Sequence, residues 1–530
     1  MMQAHKIPIF KSWVSEWVAR SVIFAILMTC LFSFAYYGSP VAAMGFYGIQ
    51  PTDVQYGMAV IYGSTVAFLA LDFRIVKYFA PRKYLLIAIA VNAICSVICF
   101  HFKDWTLFVI CQFFQGITCA LMSGIVLQLI FPRLQSVRAR VIAFSLLYGS
   151  IQIAVPFYSI FTSVVIHFFD FNWLFYGFII ILLIITITVL LTMNSKARFT
   201  KKIPLYQVDW IGYLFYVSFI LILGYILVYG RQLGWFGSSL ITTLSVSNVL
   251  ILSLFIIREL KLKRPLINLQ IFKTKNFVIG LLLLFTFYIF KGSTGLAYGY
   301  LEVILGNDPL STVPIWTSVI LGTTLSMFVT SRFVLMGYNL IRMIIVGFGI
   351  MAIYYAYMIL FVSVQGETMD FILPMFIYGV ATGVLFVPIV SFTASSAPPA
   401  IAINASLVGI LARFTGFTAS LALNNELQLF AKSGVREKIR EVVTETNPQL
   451  PATLLDIQNQ YMNTGSDIYT SKAISSGYFN QMLGHQIFAR ATRDYYGWML
   501  TGVIIIIVIL LLLPQIQNVV LRLRKGTIPY

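Results

Sequence analysis

The sequence predicts an all-α polytopic membrane protein, on three observations. Of 530 residues, 59% are hydrophobic and only 10% are charged, whereas soluble domains carry roughly a quarter charged residues. Too few polar side chains are present to clothe a water-facing shell. Long apolar runs recur along the whole chain, most of them at or above the roughly 20 residues that cross a bilayer core of ~30 Å. Lys and Arg gather in alternate connections, as they do in loops kept on one side of a membrane. This composition argues against soluble enzymes, disordered regulators and nucleic-acid readers. The net charge of +18 follows from those basic loops, and no nucleic-acid partner is implied.

The apolar runs place fourteen transmembrane helices near residues 18–46, 54–73, 84–102, 105–131, 139–166, 172–194, 207–230, 238–257, 276–305, 311–331, 340–364, 371–395, 401–430 and 496–516. Lys11–Arg20 reads as a short interfacial helix before the first of them. That first run is too long for a cleaved signal peptide. Short connections make successive helices antiparallel.

One set of connections holds Lys6, Lys11 and Arg20; Arg74, Lys77, Arg82 and Lys83; Arg133, Arg138 and Arg140; Lys196, Arg198, Lys201 and Lys202; the run from Arg258 to Lys275; Arg332 and Arg342; and Arg522, Arg524 and Lys525. The short connections on the other side hold Lys103 and Arg231. The bias places both termini in the cytoplasm and requires an even number of spans. Residues 431–495 are polar and lie outside. Apolar residues at helical spacing in Ala473–Arg493 predict an amphipathic helix leading into the last span, and Pro448 and Pro451 mark 444–451 as a loop.

Polar groups within spans are costly and usually face protein or a water-filled cavity. The ninth span carries Tyr288, Lys291, Gly295, Tyr298 and Glu302 at intervals of three or four, on one helix face. Lys291 lies too deep to snorkel. It either lines a cavity, contacting an anionic group or titrating, or is hydrogen-bonded to a neighbouring helix. The thirteenth span has a similar stripe of Ser406, Gly409, Arg413, Gly416, Ser420 and Asn424. Gln112 and Gln115 in the fourth span and Gln152 in the fifth line a pore or bridge helices. Gly379 and Gly383 form a GxxxG that favours packing. Cys30, Cys95, Cys99, Cys111 and Cys119 all lie in apolar runs and read as small core residues. The four histidines lack metal-ligand spacing. Walker A, HExxH and nucleophile-elbow motifs are absent from the sequence, so no cofactor or enzyme activity is expected and transport energy has to come from a gradient.

Val208-Asp209-Trp210-Ile211-Gly212 is followed by Gly230-Arg231-Gln232-Leu233-Gly234-Trp235-Phe236, and then by Asn268-Leu269-x-Ile271-Phe272-Lys273-x-Lys275-Asn276-Phe277. With the fourteen spans and the long loop before the last, these stretches resemble the fourteen-span drug:proton antiporter branch (EmrB/QacA-like) of the major facilitator superfamily. The resemblance implies two six-helix bundles, 18–194 and 276–516, with two extra helices in 195–275, loop 431–495 within the second bundle, and termini 1–17 and 517–530. It implies alternating access to a site near the midplane, a bacterial inner membrane, and, for some members, a periplasmic membrane-fusion adaptor and an outer-membrane channel as partners. Departures are clear. The loop from Phe73 to Lys83 lacks the branch's glycines and acid, leaving Lys77, Arg82 and Lys83; Gln112–Gly116 lacks the arginine of R-x-x-Q-G; and Val155–Ile160 keeps only the proline of G-P-x-x-G-G.

The resulting expectation is a secondary transporter exporting small amphipathic compounds. Lys291, Arg413, Gln112, Gln115, Gln152 and Tyr298 are its polar cavity residues. Glu302, or Lys291 because desolvation disfavours an ammonium, is its proton carrier. An importer or uniporter without proton coupling, and a non-transporting scaffold or receptor, are the alternatives.

Overall fold

A computed structural model describes residues 8–512, apart from 77, 131–148, 196, 198–207, 304–307, 365, 399–400, 445–446 and 466. Its α-helices are α1 (Glu16–Phe32), α2 (Pro40–Tyr47), α3 (Pro51–Ile75), α4 (Pro81–His101), α5 (Trp105–Ile130), α6 (Ala154–Phe168), α7 (Trp173–Thr192), α8 (Trp210–Tyr229) and α9 (Ser239–Lys261). They continue with α10 (Lys275–Lys291), α11 (Thr294–Val303), α12 (Val313–Leu335), α13 (Leu340–Phe361), α14 (Ile372–Ser395), α15 (Ala402–Val442), α16 (Gln449–Asn463) and α17 (Ile468–Leu512). Among the described residues there is no strand, only an isolated bridge between Phe10 and Met193.

Helix starts follow local chemistry. Pro40, Pro51 and Pro81 each open a helix, where a missing N–H costs nothing. Gly48, at φ 68°, ends α2 in the left-handed region that glycine adopts freely. Asp467 caps α17, and hydrogen bonds from Thr470 hold its carboxyl below the usual carboxylate range.

Twelve segments among the described residues are long and apolar enough to cross a membrane. The expected single helix over 18–46 is instead α1, a 3-10 turn at Ala35–Tyr37, and α2. The cause is Ser39-Pro40: proline lacks a donor and disfavours helical geometry in the residue before it. The fifth expected span is described only from Gly149 onward, as 139–148 lie outside the described residues. The thirteenth span runs farther than expected, and the helix expected over Ala473–Arg493 is continuous with the last span. α15 continues to Val442 and α17 starts at Ile468, so most of 431–495 is helical, with α16 packed against α17. The loop expected at 444–451 gives way at Gln449, because Pro448 serves as the N-cap and Pro451 sits in the first turn of α16.

Two apolar cores form. One draws on α1 to α5, α7 and α8 together with Phe277 and the start of α15. The other draws on α10 to α14 and α17. In the second, α12 and α14 cross with their backbones nearly touching. A Cβ on Gly379 would lie 2.5 Å from the Val319 carbonyl oxygen, and one on Gly383 would lie 2.0 Å from Ser326 Oγ. The GxxxG pair is a packing device here.

The central sequence motifs are built the same way. Asp209 caps α8 by accepting the Gly212 amide at 3.0 Å and receives Arg258 of α9 at 2.7 Å. A Cβ on Gly212 would lie 2.2 Å from that carboxylate. Glu259 accepts the Ile267 amide at 2.9 Å, tying α9 to the connection that follows it.

Candidate transport site

Lysine at position 291 ends α10, and the helix does not continue cleanly. The Gly292 amide is shared between the Tyr288 and Ile289 carbonyls, each at 3.2 Å, and a new helix starts at Thr294. The five-residue stripe from Tyr288 to Glu302 is therefore not one uninterrupted face. A break inside a bilayer requires side chains to satisfy the freed backbone groups. Tyr355 of α13 donates to the Phe290 carbonyl at 2.8 Å, Tyr378 of α14 to the Lys291 carbonyl at 3.1 Å, and Asn424 of α15 to the Gly292 carbonyl at 3.0 Å. Tyr496 of α17 reaches the Ser293 carbonyl at 3.4 Å, and Tyr495 supports Asn424 at 2.5 Å. A Cβ on Gly292 would lie 2.1 Å from Ser420 Oγ, so α15 crosses directly against the break.

The Lys291 ammonium donates to the Gln152 side-chain carbonyl, which lies 139 residues earlier in the chain. The Gln152 amide in turn approaches the Tyr288 hydroxyl at 3.4 Å. Lys291 Nζ also sits 5.3 Å from the centre of the Tyr288 ring. Among the described residues, no carboxylate is ion-paired with Lys291. A second cation, the buried Arg413, stands on α15 one turn before Gly416, which packs against Tyr288.

Arg413 is 8% exposed, with its guanidinium carbon 5.0 Å from the centre of the Phe386 ring. It borders a small cavity between α10, α14 and α15, together with Leu284, Thr393, Ser406 and Gly409. Farther along the α15 stripe, Gly416 packs with its Cα side against Phe285 and Tyr288. One stripe thus serves both packing and the cavity.

Other candidates lie elsewhere. Gln112 donates to Gln115 at 2.8 Å, Gln115 to Ser96 at 3.1 Å, and Asn92 to Ser33 at 3.4 Å. These fully buried groups join α4, α5 and the end of α1, and the structure does not bring them to Lys291. The Tyr298 side chain and Lys77 lie outside the described residues. Arg82 donates to the Met193 carbonyl at 3.3 Å, and Lys83 is exposed. Glu302 accepts from Ser39 at 2.6 Å, at the end of the helices away from the basic loops.

That same end carries more contacts between early and late elements: Gln55 with Asn425 at 2.7 Å, His167 with Asp308 at 3.0 Å, and Arg231 with Glu426 at 3.3 Å. Sequence reasoning singled out Asn424 but missed the tyrosines that join it around the break, although the pairs Tyr354-Tyr355 and Tyr495-Tyr496 interrupt apolar runs. It also missed Asp72. Read from Phe73, the second-span loop lacks an acid; the residue before it is a carboxylate 1% exposed, receiving Tyr84 at 2.5 Å. A Cβ on Gly124 of α5 would lie 1.8 Å from it. Among the described residues, His, Cys, Asp and Glu nowhere gather three together as a metal-binding group.

Residues 21–422 match the Major Facilitator Superfamily. The chain belongs to that family. It is a multi-pass membrane protein of transporter type, and not an enzyme. It is 24% identical over 349 residues to the multidrug export protein EmrB of Escherichia coli (strain K12), spanning 63% of each chain. The chain thus covers less than two thirds of that relative's length. It is also 27% identical over 303 residues to the probable multidrug resistance protein EmrY of the same organism, spanning 54% of this chain and 53% of that one. A crystal structure of the peptide transporter POT in complex with sulfate shares the fold, with a TM-score of 0.58 at 13% identity, covering 94% of this chain and 96% of that one.

Proposed function

We propose that this protein is a secondary active transporter that exports small amphipathic compounds by alternating access. The observation that carries the reading is the Lys291–Gln152 hydrogen bond. It joins the early and late parts of the chain inside the bilayer, on α10, which packs against α15 and its buried Arg413. In this reading two bundles, 18–194 and 276–516, rock about that bridge, and residues 195–275 supply two extra helices. The basic loops lie in the cytoplasm of a bacterial cell with both termini, and the membrane is the inner one. The contacts at the opposite end then close the site toward the outside, and the cavity beside Arg413 is what remains reachable from within.

Similarity to EmrB and EmrY supports export as the direction. The lack of an ATP-binding motif in the sequence supports a gradient as the energy source, with Glu302 or Lys291 as the proton carrier. Segment 431–495 is the contact for a periplasmic adaptor. Its support is the length of α15 and α17 beyond any single bilayer crossing, with α16 laid against them.

The test is drug accumulation in an efflux-deficient strain expressing the wild type or Lys291→Ala. Low accumulation with the wild type and high accumulation with the variant, at equal membrane insertion, is expected. Equal accumulation in both removes Lys291 from the mechanism. Vesicle transport under an imposed pH gradient tests the coupling, and indifference to the gradient favours a uniporter.

A further inference from the structure

We infer that the connection between the two extra helices, residues 230–235, is a clasp over the outer mouth of the site: it stays with the first bundle and closes onto the second through Glu426. The inference rests on the alternating-access reading above and gives the extra helices a part in it.

Helix α8 lies along the seam between the halves. A Cβ on Gly63 of α3 would lie 2.8 Å from Ile220 of α8 and 3.3 Å from Phe414 of α15, so the three helices meet there. At the outer end of the seam Gln55 and Asn425 exchange hydrogen bonds of 2.7 and 3.1 Å. The connection after α8 reaches both ways from beside that pair. Toward α3, Tyr229 donates to Asp53 at 2.5 Å, and Gln232 donates to Gln50 at 2.5 Å and accepts from Thr52 at 2.7 Å. The Tyr56, Tyr225 and Tyr229 rings cluster there, with centres 4.6 to 5.5 Å apart. Toward α15, Arg231 pairs with one oxygen of Glu426 at 3.3 Å, and the Trp235 indole N–H donates to the other at 3.3 Å. The turn that presents these groups is strained. Trp235 has φ 51°, in the left-handed region that side chains rarely adopt, and follows Gly234 at 78°. Its amide donates back to the Gly230 carbonyl at 2.6 Å, and its ring covers Gly230, where a Cβ would lie 2.4 Å away. Such a backbone persists only where its surroundings hold it, and Glu426 is part of what holds it.

The two sides of the clasp are unequal. One carboxylate carries both contacts to α15, and its ion pair is half-exposed, which makes it weak. The side toward α3 combines several hydrogen bonds with the tyrosine cluster, and α8 packs more extensively on α3 than on α15. Opening the outer face therefore parts Arg231 and Trp235 from Glu426, separates Gln55 from Asn425, and leaves α8 travelling with the first bundle. A closure this weak biases the equilibrium without locking it, as a step repeated in every cycle requires.

The test is spin-label distance measurement on the full chain in lipid nanodiscs, with the five native cysteines replaced by alanine. Labels enter in pairs through Lys103→Cys on the first bundle, Gly237→Cys on the extra-helix hairpin and Met369→Cys on the second bundle, all exposed positions. Glu426→Ala is expected to raise the proportion of long 103–369 distances about threefold or more, the scale of a lost exposed ion pair with a hydrogen bond. Glu426→Gln keeps an acceptor for Trp235 and is expected to raise it less. The 237–369 distance is expected to lengthen in step, while the 237–103 distance holds. Arg231→Ala attacks the same pair from the other side and is expected to shift the distribution in the same direction, so the proposal is tested even if Glu426→Ala fails to insert.

A 103–369 distribution that these variants leave unchanged, or a hairpin that stays with position 369 while leaving position 103, overturns the clasp. Accumulation assays on the same chains separate the two levels. A shifted distribution in a protein that exports nothing leaves the clasp standing and defeats the export reading. Export by the wild type, with an unmoved distribution in the variants, defeats the clasp alone.

Discussion

Two polar clusters lie inside this protein, and they are built differently. In the first, Ser33, Asn92, Ser96, Gln112 and Gln115 hand hydrogen bonds from one neutral group to the next within one apolar core. In the second, Lys291 and Arg413 bring charge. The principal bridge, Lys291 to Gln152, connects parts of the chain far apart in sequence. The first is fully buried, whereas in the second Arg413 and Gln152 are buried and Lys291 is half-buried; both derive from polar residues at helical spacing. Neutral networks within a core fix helix packing. Charges in a bilayer are expensive to keep and mark a site that uses them.

The sharpest separation of the two comes from Lys291→Gln against Gln115→Leu. Lys291→Gln is expected to lower export per inserted molecule at least about tenfold, the scale of a lost hydrogen bond to a charged group. Quantitative accumulation normalised to membrane protein reads it. Gln115→Leu is expected to leave export per molecule unchanged and to lower only stability. An equal loss of export from both would erase the distinction drawn between the clusters.

Packing gives the next largest effect. Gly383→Leu forces a side chain into the α12–α14 crossing and is expected to cost about 1–3 kcal/mol or more of stability, as overpacking does. A lower unfolding temperature and reduced yield in detergent report it. Asn424→Ala removes the donor to the Gly292 carbonyl and is expected to cost about 1 kcal/mol. It sharpens the comparison because the break sits next to Lys291: export should fall with stability, and more than it does in Gln115→Leu. Lys83→Gln is the smallest change. Its side chain is exposed, so stability is expected to stay within about 0.5 kcal/mol.

The membrane fold was legible because hydropathy and alternating basic loops are long-range signals that survive uncertain helix ends. Lys291 and Arg413 were legible for the same reason, since a charge in an apolar run stands out against its neighbours. What they touch was not. Gln152 was visible as a polar residue, but nothing in the spacing of one helix sets its register against another helix 139 residues away. The break at Gly292 was hidden because small residues are common in spans, and the tyrosines that cage it come from other helices whose register one sequence does not set. The second-span acid, Asp72, fell one residue before the loop that motif reading inspects, and only the approach of Tyr84 and Gly124 shows it held inside. The extension of α15 to Val442 was hidden by its polar composition, which reads as loop, whereas the helix leading into the last span showed in the apolar spacing of Ala473–Arg493.

A double-mutant cycle on Lys291 and Gln152, read as transport rate per inserted molecule, tests the central claim most directly. If the two side chains act as one bridge, adding Gln152→Ala to Lys291→Gln costs nothing further. Losses that simply multiply would mean that each residue works alone.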